Sequence, residues 1–136
     1  MAHNEVFKQG NHLSAPVAAT VRAGDPLRIG IANAVAETDP GGTTDPNNVF
    51  NGVAQNTGGV GNKPGWTSVS HEGVWRLEVV GALAGYGTAV YIKADNTLTA
   101  TATGNFLFGY AVRAKGTGTG DALVKILQPG QVTASA

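Results

Sequence analysis

The stretch Thr99–Leu127, TATATGNFLFGYAVRAKGTGTGDALVKIL, restricts the fold more than any other part of this chain. Phe106, Phe108, Tyr110 and Val112 fall on one face of an extended segment, and Ala122, Val124 and Ile126 resume the period of two after Gly116–Gly120. Because successive side chains of a strand point to opposite faces, this spacing predicts two strands joined by a glycine-threonine loop. The segment carries no catalytic group, so it has to be explained by what it packs against.

The rest of the chain reads the same way. No segment shows apolar residues at helical spacing for three turns between caps, and 20 glycines among many β-branched residues argue against helix. The expected fold is all-β: a single small β-barrel or β-sandwich of roughly seven to nine short strands, with at most a helical turn near Gly81–Tyr86. Residues 1–16 read as a polar N-terminal arm or edge strand, with Val6 and Phe7 its strong apolar pair and Pro16 blocking a helix. Residues 17–136 read as one β domain. Val17–Arg22 is expected to extend, Ala23–Pro26 to turn, and Leu27, Ile29 and Ile31 to share a face, with Asn33–Glu37 extending the sheet.

Two loops at about 38–66 interrupt the pattern. Asp39–Asn48, with two Asp-Pro pairs and a Gly-Gly, is expected to be a surface loop, and Gln55–Gly65 a second one, with the short apolar patch Val49–Ala54 between them. Thr67–His71 is expected to pair with Val74–Val80 across Glu72-Gly73, with Trp75, Leu77 and Val79 facing inward. Ala89–Lys93 and Leu98–Thr101 flank Ala94–Thr97, a turn whose Asp and Asn tolerate left-handed backbone.

Composition narrows the function. Charged residues are 13% of the chain against 42% hydrophobic, so the surface must be largely Thr, Asn, Ser, Gly and Ala, which suits close approach of another protein. Nine Lys and Arg balance nine Asp and Glu without a basic block, so no nucleic-acid partner is expected. The absence of cysteine removes disulfides, thiolate catalysis and cysteine-bound metals. The first residues lack a charged head followed by an apolar run, and Val79–Ile92 is broken by three glycines, so neither a secretory leader nor a membrane span is expected. The chain is expected to be made in the cytoplasm.

Motifs that could carry chemistry fail on their details. His71-Glu72-Gly73-Val74-Trp75 has tryptophan where a second zinc ligand must stand, and His71 reads instead as a surface or rim histidine of a hairpin. His3 and His12 form no better pair. Asp45–Val49 starts like a calcium loop but places valine at the third ligand. Gly58–Lys63 is followed by Pro64 where a phosphate loop needs a hydroxyl, and Gly116–Gly120 lacks the last glycine of a dinucleotide fingerprint. Asp25, Asp39, Asp45, Asp95 and Asp121 sit beside turn residues, and Glu78 reads as a structural ion-pair partner. No enzyme activity, metal or cofactor is expected. Trp66 and Trp75 could together stack on a sugar, but Trp75 lies in phase with Leu77 and Val79, which favours burial or a subunit interface.

A succession of phrases carries a resemblance: Ala23-Gly24-Asp25-Pro26-Leu27, Glu72-Gly73-Val74-Trp75-Arg76-Leu77, Gly87-Thr88-Ala89-Val90-Tyr91, Thr101–Asn105, Phe108–Val112 and Ala122–Leu127. In this order, over about 17–127, the chain resembles the tailed-phage capsid cement or head decoration proteins. The resemblance implies a β-tulip-like domain on the outer surface of a phage head, binding the major capsid protein as a homotrimer at local threefold positions after the shell expands. The extended arm is expected to lie along the capsid by strand addition, with Glu5, Val6, Phe7 and Lys8 as the contact and Val6 and Phe7 as its anchors. Asp39–Gly65 is longer than the corresponding family connection. A carbohydrate- or receptor-binding module, in which Trp66 would stack on a glycan, and a phage tail or fibre component remain the alternatives.

Overall fold

The computed structural model describes residues 10–56, 58 and 61–128, and among them there is no helix. Eleven strands follow one another: β1 (His12–Pro16), β2 (Pro26–Ile29), β3 (Ala32–Ala36), β4 (Thr44–Phe50), β5 (Val53–Asn56), β6 (Trp66–Ser70), β7 (Val74–Val80), β8 (Ala89–Ile92), β9 (Leu98–Thr99), β10 (Phe106–Ala111) and β11 (Thr119–Ile126). They form a closed barrel in the order β10-β11-β7-β9-β8, a four-stranded sheet β1-β6-β3-β2, and the separate ribbon β4-β5. The expected barrel is present, at the C-terminal end of the chain.

The barrel forms because its strands supply large apolar side chains at alternate positions. Leu77 and Val79 of β7, Val90 and Ile92 of β8, Phe108 of β10, and Val124 and Ile126 of β11 all point inward and are buried, joined by Leu98 and by Leu83 from the β7–β8 connection. Burial of each such side chain contributes roughly 1.5–3 kcal/mol. Closure is completed where β10 pairs with both β8 and β11.

β10 departs from strict alternation. Its register with β8 shifts between Leu107 and Gly109, a bulge that carries Phe108 inside while leaving Phe106, two residues earlier, half exposed. The bulge brings β10 against β11 so tightly that a Cβ on Gly109 would land on the carbonyl oxygen of Lys125. Glycine is required there by space. The glycine-threonine loop ahead of β11 is closed by Lys115, whose Nζ donates to the carbonyls of Gly81, Gly116 and Gly118 at 2.9, 3.0 and 2.7 Å.

The four-stranded sheet has a smaller core of Val21, Leu27, Ala34, Ala36 and Val69. It is fastened to the barrel by β3. Val35 belongs to the barrel's apolar cluster, while buried Asn33 donates from Nδ2 to the carbonyls of Leu107 and Leu127 at 2.9 and 2.7 Å. Gln128 completes this latch: its Oε1 accepts from the Asn33 amide, and its Nε2 donates to the carbonyls of Asn33 and His71.

Several local expectations are corrected. Val17–Arg22 is not a strand; Asp25 folds this segment into a turn by accepting from the Arg22 amide at 2.9 Å, and the hairpin is β2–β3, reversed at Gly30 (φ +61°) with Ile31 exposed at its tip. β6 and β7 do not pair with each other. β6 joins β1 and β3 while β7 joins β9 and β11, so the turn at residues 71–73 passes the chain from the sheet to the barrel. Residues 81–86 contain no helical turn; Leu83 instead bridges to Lys115. The β8–β9 hairpin is as expected, with Asn96 at φ +66° and Asp95 Oδ1 accepting from the amide and hydroxyl of Thr97.

Candidate functional site

Of the aspartates beside turn residues, Asp25, Asp39 and Asp95 are engaged locally, whereas Asp45 and Asp121 lie within β4 and β11. Asp25 and Asp39 accept from the backbone amides of Arg22 and Ala23, and Asp95 accepts twice from Thr97. The Thr97 hydroxyl, the nearest and largest influence, holds the exposed Asp95 carboxyl below its ordinary pKa of 3.8. A cleft of about 470 Å³ between sheet and barrel is lined by Asp25, Leu27, Arg76, Glu78, Asp95 and Asn96, among others. Two of its three carboxylates are thus engaged in backbone turns. Among the described residues no three His, Asp or Glu side chains converge as a metal site.

His71 is not at the rim of a hairpin. It sits half buried at the sheet–barrel passage, with Nδ1 3.0 Å from the Asn33 carbonyl oxygen. His12 lies on exposed β1 and pairs through Nδ1 with Glu37 Oε1. His3 and the four arm residues Glu5, Val6, Phe7 and Lys8 lie outside the described residues.

What the structure does fix is where the arm joins. Residues 12–16 are an edge strand: β1 runs antiparallel to β6 from His12↔Ser70 to Pro16↔Trp66, and among the described residues no strand covers its other side. The amide of His71 donates to the Asn11 carbonyl at 2.7 Å, continuing that ladder one step toward the N-terminus. The outer side of β1 therefore presents a row of backbone groups free of ladder partners, the geometry that accepts an added strand.

The two tryptophans are brought to different units. Trp66 opens β6 beside Pro16, with Lys63 Nζ 4.9 Å from its ring centroid. Trp75 lies near the start of β7, packs on the barrel core, and donates from Nε1 to the Glu72 carbonyl at 3.0 Å. Both are half buried, Trp66 on the four-stranded sheet and Trp75 on the barrel.

Sequence reasoning missed β4–β5. Val49↔Ala54 and Phe50↔Val53 are cross-strand pairs, closed by Asn51 and Gly52 at φ +52° and +77°. Two positive φ values in a two-residue loop are what an Asn-Gly hairpin uses, so the dipeptide was a signal for this turn. The root of the ribbon is narrow: a Cβ on Gly41 would strike the carbonyls of Asn62 and Lys63, and one on Gly58 would strike that of Pro40.

Residues 7–126 match the family model for phage cement protein. No curated protein and no solved structure matches the chain.

Proposed function

The chain belongs to the phage cement protein family, a family whose role is structural and capsid-associated, and from that premise we propose that it decorates the outer surface of a tailed-phage head. It docks as a homotrimer at threefold or quasi-threefold positions, bridging neighbouring major capsid subunits, after synthesis in the bacterial host cytoplasm. The observation that carries this mode of attachment is the uncovered edge of β1, which leads directly into the N-terminal arm. Strand addition along that edge supplies affinity through backbone hydrogen bonds, and Glu5, Val6, Phe7 and Lys8 supply register on the shell. Trp66 and the exposed part of Trp75 contribute to contacts between subunits.

Adhesion of this kind needs no bond chemistry. A protein that binds the mature lattice and not its precursor stabilises the mature form by mass action, and linking three binding surfaces converts modest contacts into durable attachment.

Co-sedimentation of the purified protein with expanded and unexpanded shells of its phage tests the proposal. Preferential binding to expanded shells is expected, and equal binding to both contradicts it.

A further inference from the structure

Among the described residues the ribbon β4–β5 pairs with no other strand, yet it ends in three large apolar side chains: Val49, Phe50 and Val53 are 53%, 68% and 64% exposed. Phe50 and Val53 are directly opposed and share one face, whereas Val49 belongs to the next pair and points to the other. The tip is thus apolar on both faces. A ribbon meant to lie on its own domain, or flat on a partner, would be apolar on one.

Charge and support point the same way. Between Thr44 and Lys63 the sequence carries one charged residue, Asp45, so the tip itself is uncharged. Lys63 stands at the root, over the Trp66 ring. The root is also held closely: Asp39 bridges to Gly58, Gly41 bridges to Pro64, and the Gly41 amide donates to the Trp66 carbonyl at 2.8 Å. The four residues of β5 set the length of the paired ribbon at about 10 Å, because β4 bulges between Asp45 and Val49.

Resting on the cement-protein proposal, we infer that residues 49–53 are a capsid anchor, a plug that enters an uncharged apolar hollow on the outer face of the shell. The exposed surface of the three side chains is roughly 300 Å², well under the roughly 800 Å² per partner that a stable free-standing interface buries. A second copy in solution could not be held by it. A shell subunit already engaged by the arm could be, because tethering makes the second contact intramolecular. The anchor is therefore a second point of attachment, separate from β1 and its arm.

The test is quantitative co-sedimentation of full-length protein with expanded shells, comparing wild type, the double variant Phe50→Ser with Val53→Ser, and Phe50→Leu. About tenfold or greater loss of affinity is expected for the double variant, near wild-type affinity for Phe50→Leu, and for wild type little change between low and high salt at the tip's contribution, read as the wild-type to double-variant ratio. Thermal unfolding identical to wild type is expected for both, which separates lost docking from lost folding. If wild type binds expanded shells and the double variant binds equally well, the anchor is wrong while the cement function stands. If wild type fails to bind any shell, both fall. If the double variant instead changes the sedimentation coefficient of the free protein, the tip serves a second copy and the inference is overturned.

Discussion

The barrel and the β4–β5 ribbon solve opposite problems with the same hairpin chemistry. In the barrel every strand has neighbours on both sides, and Phe108, Val90, Ile92, Val79 and Val124 are fully buried. In the ribbon each strand has one neighbour, and the apolar side chains are the exposed ones. The four-stranded sheet lies between the two, with β3 fastened to the barrel and β1 open at the edge. An isolated two-stranded ribbon is marginal in water, so its presence on a stable base teaches that stability and attachment are assigned to different parts of this chain. Closure removes edges from the part that must persist; open edges and bare apolar tips remain where a partner is to be met.

That division can be broken most forcefully in the barrel. Phe108→Ala is expected to lower stability by about 3–5 kcal/mol, read by denaturant unfolding; a loss below about 1 kcal/mol would mean that the barrel is not the stabilising unit. Next comes the latch. Asn33→Ala strips the carbonyls of Leu107 and Leu127 of a buried donor and is expected to cost about 2–3 kcal/mol. Hydrogen exchange should then show the four-stranded sheet opening before the barrel, and simultaneous opening would deny that Asn33 joins two units.

The ribbon should behave in the contrary way. Phe50→Ser is expected to leave stability within about 0.5 kcal/mol of wild type, and a larger loss would show that the tip packs on its own domain. The smallest effect concerns pH. Asp95, held below its ordinary pKa of 3.8 chiefly by the Thr97 hydroxyl, favours the folded state at higher pH, and this contribution disappears as pH falls through and below that value. Thr97→Val should flatten this part of the stability–pH curve, and an unchanged curve would assign the acid sensitivity elsewhere.

The barrel was legible because alternation survives in its sequence. Leu77 and Val79, and Ala122, Val124 and Ile126, are buried at the expected positions. Three features hid the rest. At β10 the bulge between Leu107 and Gly109 breaks the period of two, so Phe106 leaves the face that Phe108 occupies. At Thr67–Val80, two good strands separated by a short turn suggested a hairpin, but local spacing does not say whether neighbours in sequence pair or part between sheets. At Thr44–Asn56, Asp-Pro and Asn-Asn obscured a strand whose Asn51-Gly52 turn was in plain view. Trp75 is half buried in phase with Leu77 and Val79, but the assignment of Trp66 and Trp75 to separate sheets follows from long-range pairing with Pro16 and Val124 that composition does not encode.

The central claim is that this chain acts by adhesion to the outside of a phage head. A density map of the host particle, determined at a resolution that traces β strands, tests it most directly. The expected map places three copies around each threefold or quasi-threefold position on the outer surface, with the N-terminal arm running along major capsid subunits beside β1 and the 49–53 tip seated in the shell. A map that places the chain in the tail, inside the head, or on the particle with neither element touching the shell contradicts the account.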